Sequence, residues 1–375
     1  MKFRTERDAL LDALVTTSRA ASPRAGIALG AQSVRLSLHG NHLEITGSDP
    51  DLVIEIGRTV AGDADGTTQI PARLAVDIVR SFDPGTVTLD GNDQEVRITS
   101  GKAEFVVRVP VGAEVTRLMT VDADGITLPA EPFAEGLRQV VPAALTDDTR
   151  APQLTGVLMV AVDNGLRLVA TDSYRLAFKD LEGMSALEPG AEVLVPARAL
   201  GEIQRLVSGE GKKDSDSKLV FRHSDLDAVF EIDDVRLTTR LLKGPFPDYQ
   251  RLSPASYPNA LKTSRDELGN ALKRVRLMVR DAKDAATPVR IAFRSDGAEL
   301  TVLTAESGRA AEQISGEFTG EDLVVAFNPN YLLDGVEALR SETVIVEVID
   351  SSKPATVRGE EESDYRYLLM PVRVS

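Results

Sequence analysis

Cysteine is absent from this 375-residue chain, which excludes disulfides and thiolate-bound metal. No run of about 18 apolar residues occurs, the length that a membrane-crossing helix requires. The opening Met1-Lys2-Phe3-Arg4-Thr5-Glu6-Arg7-Asp8 is charged from the start and has no apolar core of a signal peptide. The expectation is a cytoplasmic protein with no membrane partner. An excess of positive charge is missing too, with 43 Lys and Arg against 58 Asp and Glu and a formal net charge of −15. Taken alone, that opposes binding to nucleic-acid phosphate, but what matters is where the cations sit rather than their sum.

The signatures of catalysis are also lacking. Three histidines occur, and His39 and His42 flank the Gly40-Asn41 turn rather than sharing a helix face, so no zinc site is expected. Asp63-Ala64-Asp65-Gly66 and Asp122-Ala123-Asp124-Gly125 look like pieces of a calcium loop but lack the third acid and the distal Glu, and read as turns. There is no phosphate loop, dinucleotide fingerprint or nucleophile elbow. Glu361-Glu362 and Lys212-Lys213-Asp214-Ser215-Asp216 read as solvated loops. The chain is expected to be no enzyme, with no catalytic residue, metal or cofactor.

What is present is repetition. A hairpin turn followed by an alternating strand appears at Gly40–Asp49, returns at Asn164–Asp172 and again at Asp296–Glu306. Its apolar anchor moves from Leu43 to Leu166 to Leu300, and its closing acid from Asp49 to Asp172 to Glu306, with offsets of 123 and then 134. Behind it, Ile70-Pro71-Ala72-Arg73 recurs as Val195-Pro196-Ala197-Arg198, 125 residues on, and Phe327-Asn328-Pro329-Asn330 opens a third copy 133 further on. Each reads as a strand end, a Pro near a helix start and an amphipathic helix.

Each repeat also begins with helical spacing: about Thr5 to Ser18 with a capping-box-like Thr5…Asp8, roughly Glu131 to Leu145, and roughly Ser264 to Asp281. Alternating runs such as Glu104-Phe105-Val106-Val107-Arg108-Val109 predict antiparallel sheet with one buried face. The fold class is therefore α+β, three tandem copies of a two-helix plus antiparallel-sheet domain, spanning 1–122, 123–252 and 253–375.

Five strings in order resemble the bacterial DNA polymerase III beta clamp family. They are Met1-Lys2-Phe3 with Glu6–Leu11, Ala170-Thr171-Asp172-Ser173-Tyr174-Arg175-Leu176, Phe246-Pro247-Asp248-Tyr249, Phe327–Asp334, and Tyr367-Leu368-Leu369-Met370-Pro371-Val372-Arg373. The resemblance implies a DNA clamp fold closing as a head-to-tail dimeric ring. It also implies a processivity factor that encircles double-stranded DNA and slides along it without sequence preference. An acidic exterior with a basic inner stripe is sensible for such a ring. The implied partners are a second copy of the chain and, through short linear motifs, the replicative polymerase catalytic subunit, the clamp-loader ATPase and repair proteins. A peptide-binding scaffold that has lost DNA encirclement is the alternative.

Sliding calls for phosphate contacts that read no bases. Arg73 and Arg80 are seven apart on the second helix of the first repeat, and Arg198 and Arg205 repeat that spacing in the second. In the third copy the equivalents are Tyr331 and Ala338. A solvated helix face is the plainer account of any single Arg. Arg138, Arg150, Lys273, Arg274 and Arg276 are further candidates, and Arg24 matches a DNA-contacting arginine of the family. At the protomer ends the resemblance points to Phe105 and Val107, with Leu277, Met278 and Val279 as candidates opposite.

The family's partner pocket maps onto Leu154, Thr171, Ser173, Tyr174, Arg175, Leu176, Pro247, Arg251, Leu252, Asn328, Tyr331, Ser352, Pro354, Leu368, Met370, Pro371, Val372 and Arg373. Apolar anchors and polar edge groups suit a peptide site, and Met370 adds an adaptable surface. Ordinary core packing competes as the role of Leu154, Leu176 and Leu368. Ser173-Tyr174 replaces the family's usual Gly-His, which bears on partner preference.

Overall fold

A computed structural model describes residues 1–21, 32–110, 121, 123–146, 151–209, 218–254, 256–279, 287–304 and 308–373. Arg24, Arg150, Asp122, Glu306 and the runs 212–216 and 280–283 lie outside the described residues. Six α-helices are α1 (Arg7–Ser18), α2 (Ala72–Ser81), α3 (Ala130–Val140), α4 (Ala197–Ser208), α5 (Arg265–Val275) and α6 (Pro329–Ala338). Among the described residues every sheet pairing is antiparallel, in keeping with the expected α+β class.

The three recurrent prolines sit where helices begin. Pro71 caps α2, Pro196 directly precedes α4 and Pro329 opens α6. A missing N–H costs nothing there, since the first turn of a helix has no carbonyl to receive it. Each hairpin of the other repeated segment closes through two residues, with His39 opposite His42, Val162 opposite Gly165 and Arg294 opposite Gly297.

The first helices differ from their sequence reading. Thr5…Asp8 forms no capping box, because Lys2–Glu6 is a strand paired with Thr86–Gly91, and α1 starts at Arg7. Burying Phe3 completely within that pairing outweighs a local cap. The helix expected to reach Leu145 stops at Val140 and passes into a 3-10 turn, Val141–Ala143, containing Pro142. A proline there cannot donate to the α ladder. Similarly α5 ends at Val275 and gives way to a 3-10 turn at Arg276–Val279, while Ser264 accepts from the Glu267 N–H at 3.4 Å as its cap.

Residues 1–130 and 209–241 make one compact unit. Its five-stranded sheet runs Ala61–Ala64, Lys2–Glu6, Thr86–Gly91, Glu95–Ser100, Ala103–Arg108. Its eight-stranded sheet joins strands far apart in sequence, with Val235–Arg240 beside Leu52–Thr59 in register from Val235↔Ile56 to Thr239↔Leu52. Helices α1 and α2 pack together, and α1 lies so close to the sheet that a Cβ on Gly47 would stand 1.9 Å from the Thr17 carbonyl oxygen. Only glycine fits beneath it.

Residues 131–208 and 242–375 make the other unit. Its nine-stranded sheet is joined at Arg175–Glu182 against Tyr365–Leu369, in register from Arg175↔Leu369 to Lys179↔Tyr365. A four-stranded sheet runs Gly308–Ser315, Gly297–Thr304, Val289–Arg294, Leu323–Phe327. Helix α6 sits on Tyr367, whose ring lies 2.5 Å from where a Cβ on Gly335 would be, and whose hydroxyl donates to the Tyr331 carbonyl at 2.7 Å.

Candidate functional site: a peptide pocket and two basic helix faces

All eighteen residues assigned to the partner pocket fall in the second unit. Their floor is an apolar cluster of Leu158, Val169, Leu176, Leu194, Tyr249 and Leu368, flanked by Val160, Phe178, Leu242 and Phe246. Leu176 and Leu368 are direct neighbours across the strand pair that joins the sheet. Leu154 is buried in the short turn Pro152–Thr155 that leads into the Leu158 strand.

The wall is the loop between strands Gly165–Thr171 and Arg175–Glu182. Asp172 Oδ1 accepts from the Tyr174 and Arg175 N–H groups at 2.9 and 3.0 Å, while Thr171 Oγ1 accepts from Ser173 N–H at 3.1 Å and donates to the Arg175 carbonyl at 2.7 Å. These bonds hold Ser173 at φ 76°, the left-handed region that glycine enters more easily. Tyr174 is left 63% exposed, its ring centroid 6.5 Å from that of Tyr331.

Beneath Tyr331 lies the Arg175 guanidinium, 4.2 Å from the ring centroid. Its Nε donates to Asp172 Oδ2 at 2.9 Å and its Nη1 to Asp334, and the side chain is only 9% exposed. Burial alone would lower the Arg175 pKa, but the Tyr367 hydroxyl and the Asp334 and Asp172 carboxylates outweigh it and hold the guanidinium charged. Burial lifts the Asp334 carboxyl above its usual range against the pull of Arg175, and burial likewise lifts the Tyr331 and Tyr367 hydroxyls. Asn328 fixes Tyr331 from the other side, its Oδ1 accepting from the Asn330 and Tyr331 N–H groups at 2.9 and 3.3 Å.

The C-terminal segment closes the site. Met370 N–H donates to the Tyr174 carbonyl and Val372 N–H to the Ala326 carbonyl, both at 2.8 Å. Met370 is partly exposed above the floor, Pro371 and Val372 are half-buried, and Arg373 is exposed. At the edges stand Pro247, Leu252 and Arg251, the last paired with Asp248 at 2.9 Å. Ser352 donates from N–H and Oγ to Asp350 Oδ1, each at 2.7 Å, beside half-buried Pro354.

Sequence reasoning left Asp172 and Asp334 out of the site, although they fix Arg175. The signal was available in the repeated closing acid. Asp49 makes the same turn as Asp172, its Oδ1 accepting from Asp51 and Leu52 N–H groups at 2.9 Å each.

The arginine candidates divide. On α2, Arg73 and Arg80 share the exposed face while Ala72, Ala75, Val76, Ile78 and Val79 are buried. Arg73 has no acidic partner among the described residues, and Arg80 lies 3.7 Å from Asp77. On α4, Arg205 is exposed and ion-paired to Glu202, and Arg198 is half-buried. The other cations are engaged within the fold. Arg138 holds Glu135 and donates to the last carbonyls of α6, Glu337 at 3.1 Å and Ala338 at 2.8 Å. Lys273 pairs with Glu337 at 2.7 Å, Arg274 grips Glu312 from Nε at 2.9 and 2.8 Å, and Arg276 donates to Asn330 Oδ1 at 3.3 Å.

At the sheet edge Ala103–Arg108, Phe105 packs on Phe82 with centroids 5.7 Å apart and remains partly exposed. On the same edge strand Val107 is 8% exposed and Val106, on the opposite strand face, 48% exposed. Leu277 is exposed and Met278 half-buried in the turn after α5, while Val279 is buried.

The whole chain matches the DNA polymerase III beta subunit family in three consecutive pieces: the N-terminal domain over residues 1–114, the central domain over 127–248 and the C-terminal domain over 250–373. It is 30% identical over 394 residues to a beta sliding clamp of Synechocystis sp., covering all of both chains. It is 28% identical over 394 residues to a beta sliding clamp of Staphylococcus epidermidis, covering 100% of this chain and 99% of that one. The DNA polymerase sliding clamp from Bacillus subtilis, a solved structure, superposes with a TM-score of 0.85 at 26% identity, covering 100% of each chain.

Proposed function

This chain belongs to the DNA polymerase III beta subunit family, the beta sliding clamps, and from that premise we propose how its residues do the work of a processivity subunit without a catalytic site. Three clamp domains, 1–122, 123–252 and 253–375, form one protomer, and two protomers close head to tail around duplex DNA in the cytoplasm. The edge strand carrying Phe105 and Val107 meets the turn carrying Leu277 and Met278 of a second copy. A strand edge with unspent backbone donors and acceptors gains most from a paired strand.

Arg73 and Arg80 on α2, with Arg198 and Arg205 on α4, touch phosphates. Point charges on long side chains hold a polyanion without reading bases, so the contact exchanges as the ring moves. Glu202 and Asp77 hold two of the four in place while leaving them solvated. Arg138, Lys273 and Arg274 serve the fold first, since each already has a carboxylate.

The observation that carries the docking reading is the apolar floor centred on Leu176 and Leu368, walled by exposed Tyr174 and roofed by Met370. A short segment of the polymerase catalytic subunit, of the clamp-loader ATPase or of a repair protein buries its apolar anchors there. ATP-driven opening belongs to the loader.

Two measurements test this. Light scattering at micromolar concentration is expected to give twice the 40.4 kDa chain mass; a monomer throughout overturns the two-protomer ring. Met370→Ala with Pro371→Ala is expected to weaken binding of a polymerase-derived peptide, and unchanged affinity overturns the pocket.

A further inference from the structure

Beside the peptide pocket lies a cavity of about 630 Å³, and its lining is of a different character. Its walls carry Val324, Ala326 and Val372, the hydroxyl of Ser352, and two guanidinium groups, Arg290 and Arg373. Ser352, Val372 and Arg373 are assigned to the partner site as well, so the two share a wall. The Val372 N–H bond to the Ala326 carbonyl fixes the shared wall.

Arg290 projects from the strand Val289–Arg294 and is exposed, and neither it nor Arg373 has an acidic partner among the described residues. In a chain of net charge −15, other cations of this unit such as Arg175, Arg251, Lys273 and Arg274 hold carboxylates. Two arginine side chains lining one concave space, beside a serine whose hydroxyl is already donated to Asp350, offer bidentate donors to a carboxylate carried on a chain that continues past the apolar floor.

We infer that Arg290 and Arg373 read an acidic side chain lying just beyond the apolar anchors of a partner peptide. The inference rests on the peptide-pocket reading and adds a charge requirement to it. The apolar floor supplies most of the buried area and hence the anchoring. The arginine pair supplies discrimination, because a peptide bearing Lys or Arg at that position brings a third cation into a hollow that already holds two.

The test uses the full-length protein and a fluorescent peptide, Ala-Leu-Ala-Leu-Phe with capped ends, extended by Glu-Glu, Gln-Gln or Lys-Lys. On the unaltered protein the Glu-Glu form is expected to bind about tenfold more tightly than the Gln-Gln form, a gain that shrinks as salt rises. The Lys-Lys form is expected to bind most weakly. In Arg290→Gln with Arg373→Gln, checked for an unchanged thermal midpoint, the three are expected to converge on the Gln-Gln value. Arg290→Lys alone is expected to keep part of the preference. Equal affinity of the Glu-Glu and Gln-Gln forms on the unaltered protein overturns the charge requirement. If the Gln-Gln form still binds and is weakened by Met370→Ala, the pocket reading survives that failure. If no form binds, or if Met370→Ala changes none of them, both readings fall together.

Discussion

The second helices of the first and third domains occupy the same place in the repeat and serve opposite purposes. Both follow a strand and begin at a proline, which caps α2 and opens α6, and both bury one apolar face. On α2 the second helical position is Arg73, solvated and without an acidic partner among the described residues. On α6 the corresponding position is Tyr331, pressed over Arg175 and beside Tyr174. One helix presents charge to solvent, while the other packs an aromatic ring on Arg175, beside Tyr174. A repeated backbone thus fixes where a side chain emerges, and the side chain decides whether that position stays solvated or packs against its neighbours.

The contrast can be broken most severely from the α6 side. Asp172→Ala is expected to destabilise the second unit by about 3 kcal/mol, since it strips a deeply buried guanidinium of one carboxylate and leaves the loop N–H groups unpaired. Denaturant unfolding measures it, and a loss well under 1 kcal/mol would mean that Asp334 alone satisfies Arg175. From the α2 side, Arg73→Glu combined with Arg198→Glu is expected to shorten residence on a nicked circular duplex by about 30-fold while sparing peptide binding. Wild-type residence would remove these helices from the DNA path. Tyr331→Ala is expected to do the reverse, weakening peptide binding by roughly tenfold through the lost ring and cation contacts while leaving residence on DNA unchanged.

The smallest effect concerns a cation withdrawn from both tasks. The hydrogen bond from Arg274 holds the Glu312 carboxyl below its ordinary value of 4.5. A depressed carboxylate contributes stability that is complete above that value and is lost as pH falls through the folded one. Glu312→Gln is therefore expected to flatten slightly the acid limb of the stability curve below pH 4.5 and to change nothing at neutral pH beyond a small offset. An unaltered acid limb would show the pair to be fully screened by solvent.

Much of this was legible in the chain because it is local. Proline at helix starts, two-residue hairpins and alternating strands each announce themselves within ten residues. The arginine faces of α2 and α4 follow from spacing alone. What escaped is long-range. No periodicity says that Val235–Arg240 lies beside Leu52–Thr59, or that Lys2–Glu6 must be a strand because Thr86–Gly91 awaits it. Which face of the Ala103–Arg108 strand is covered was not legible either, because burial depends on a core assembled from distant segments. The carbonyls of α6 that Arg138 holds and the Glu312 carboxylate that Arg274 holds come from other elements of the fold, so neither engagement shows in the spacing.

The shared ladder between Val235–Arg240 and Leu52–Thr59 has a mechanical meaning. Strands in register across five positions, from Val235↔Ile56 to Thr239↔Leu52, resist sliding past one another as a group, because the bonds load together rather than one at a time. Force applied to that unit finds no compliant seam at this pairing and passes through it.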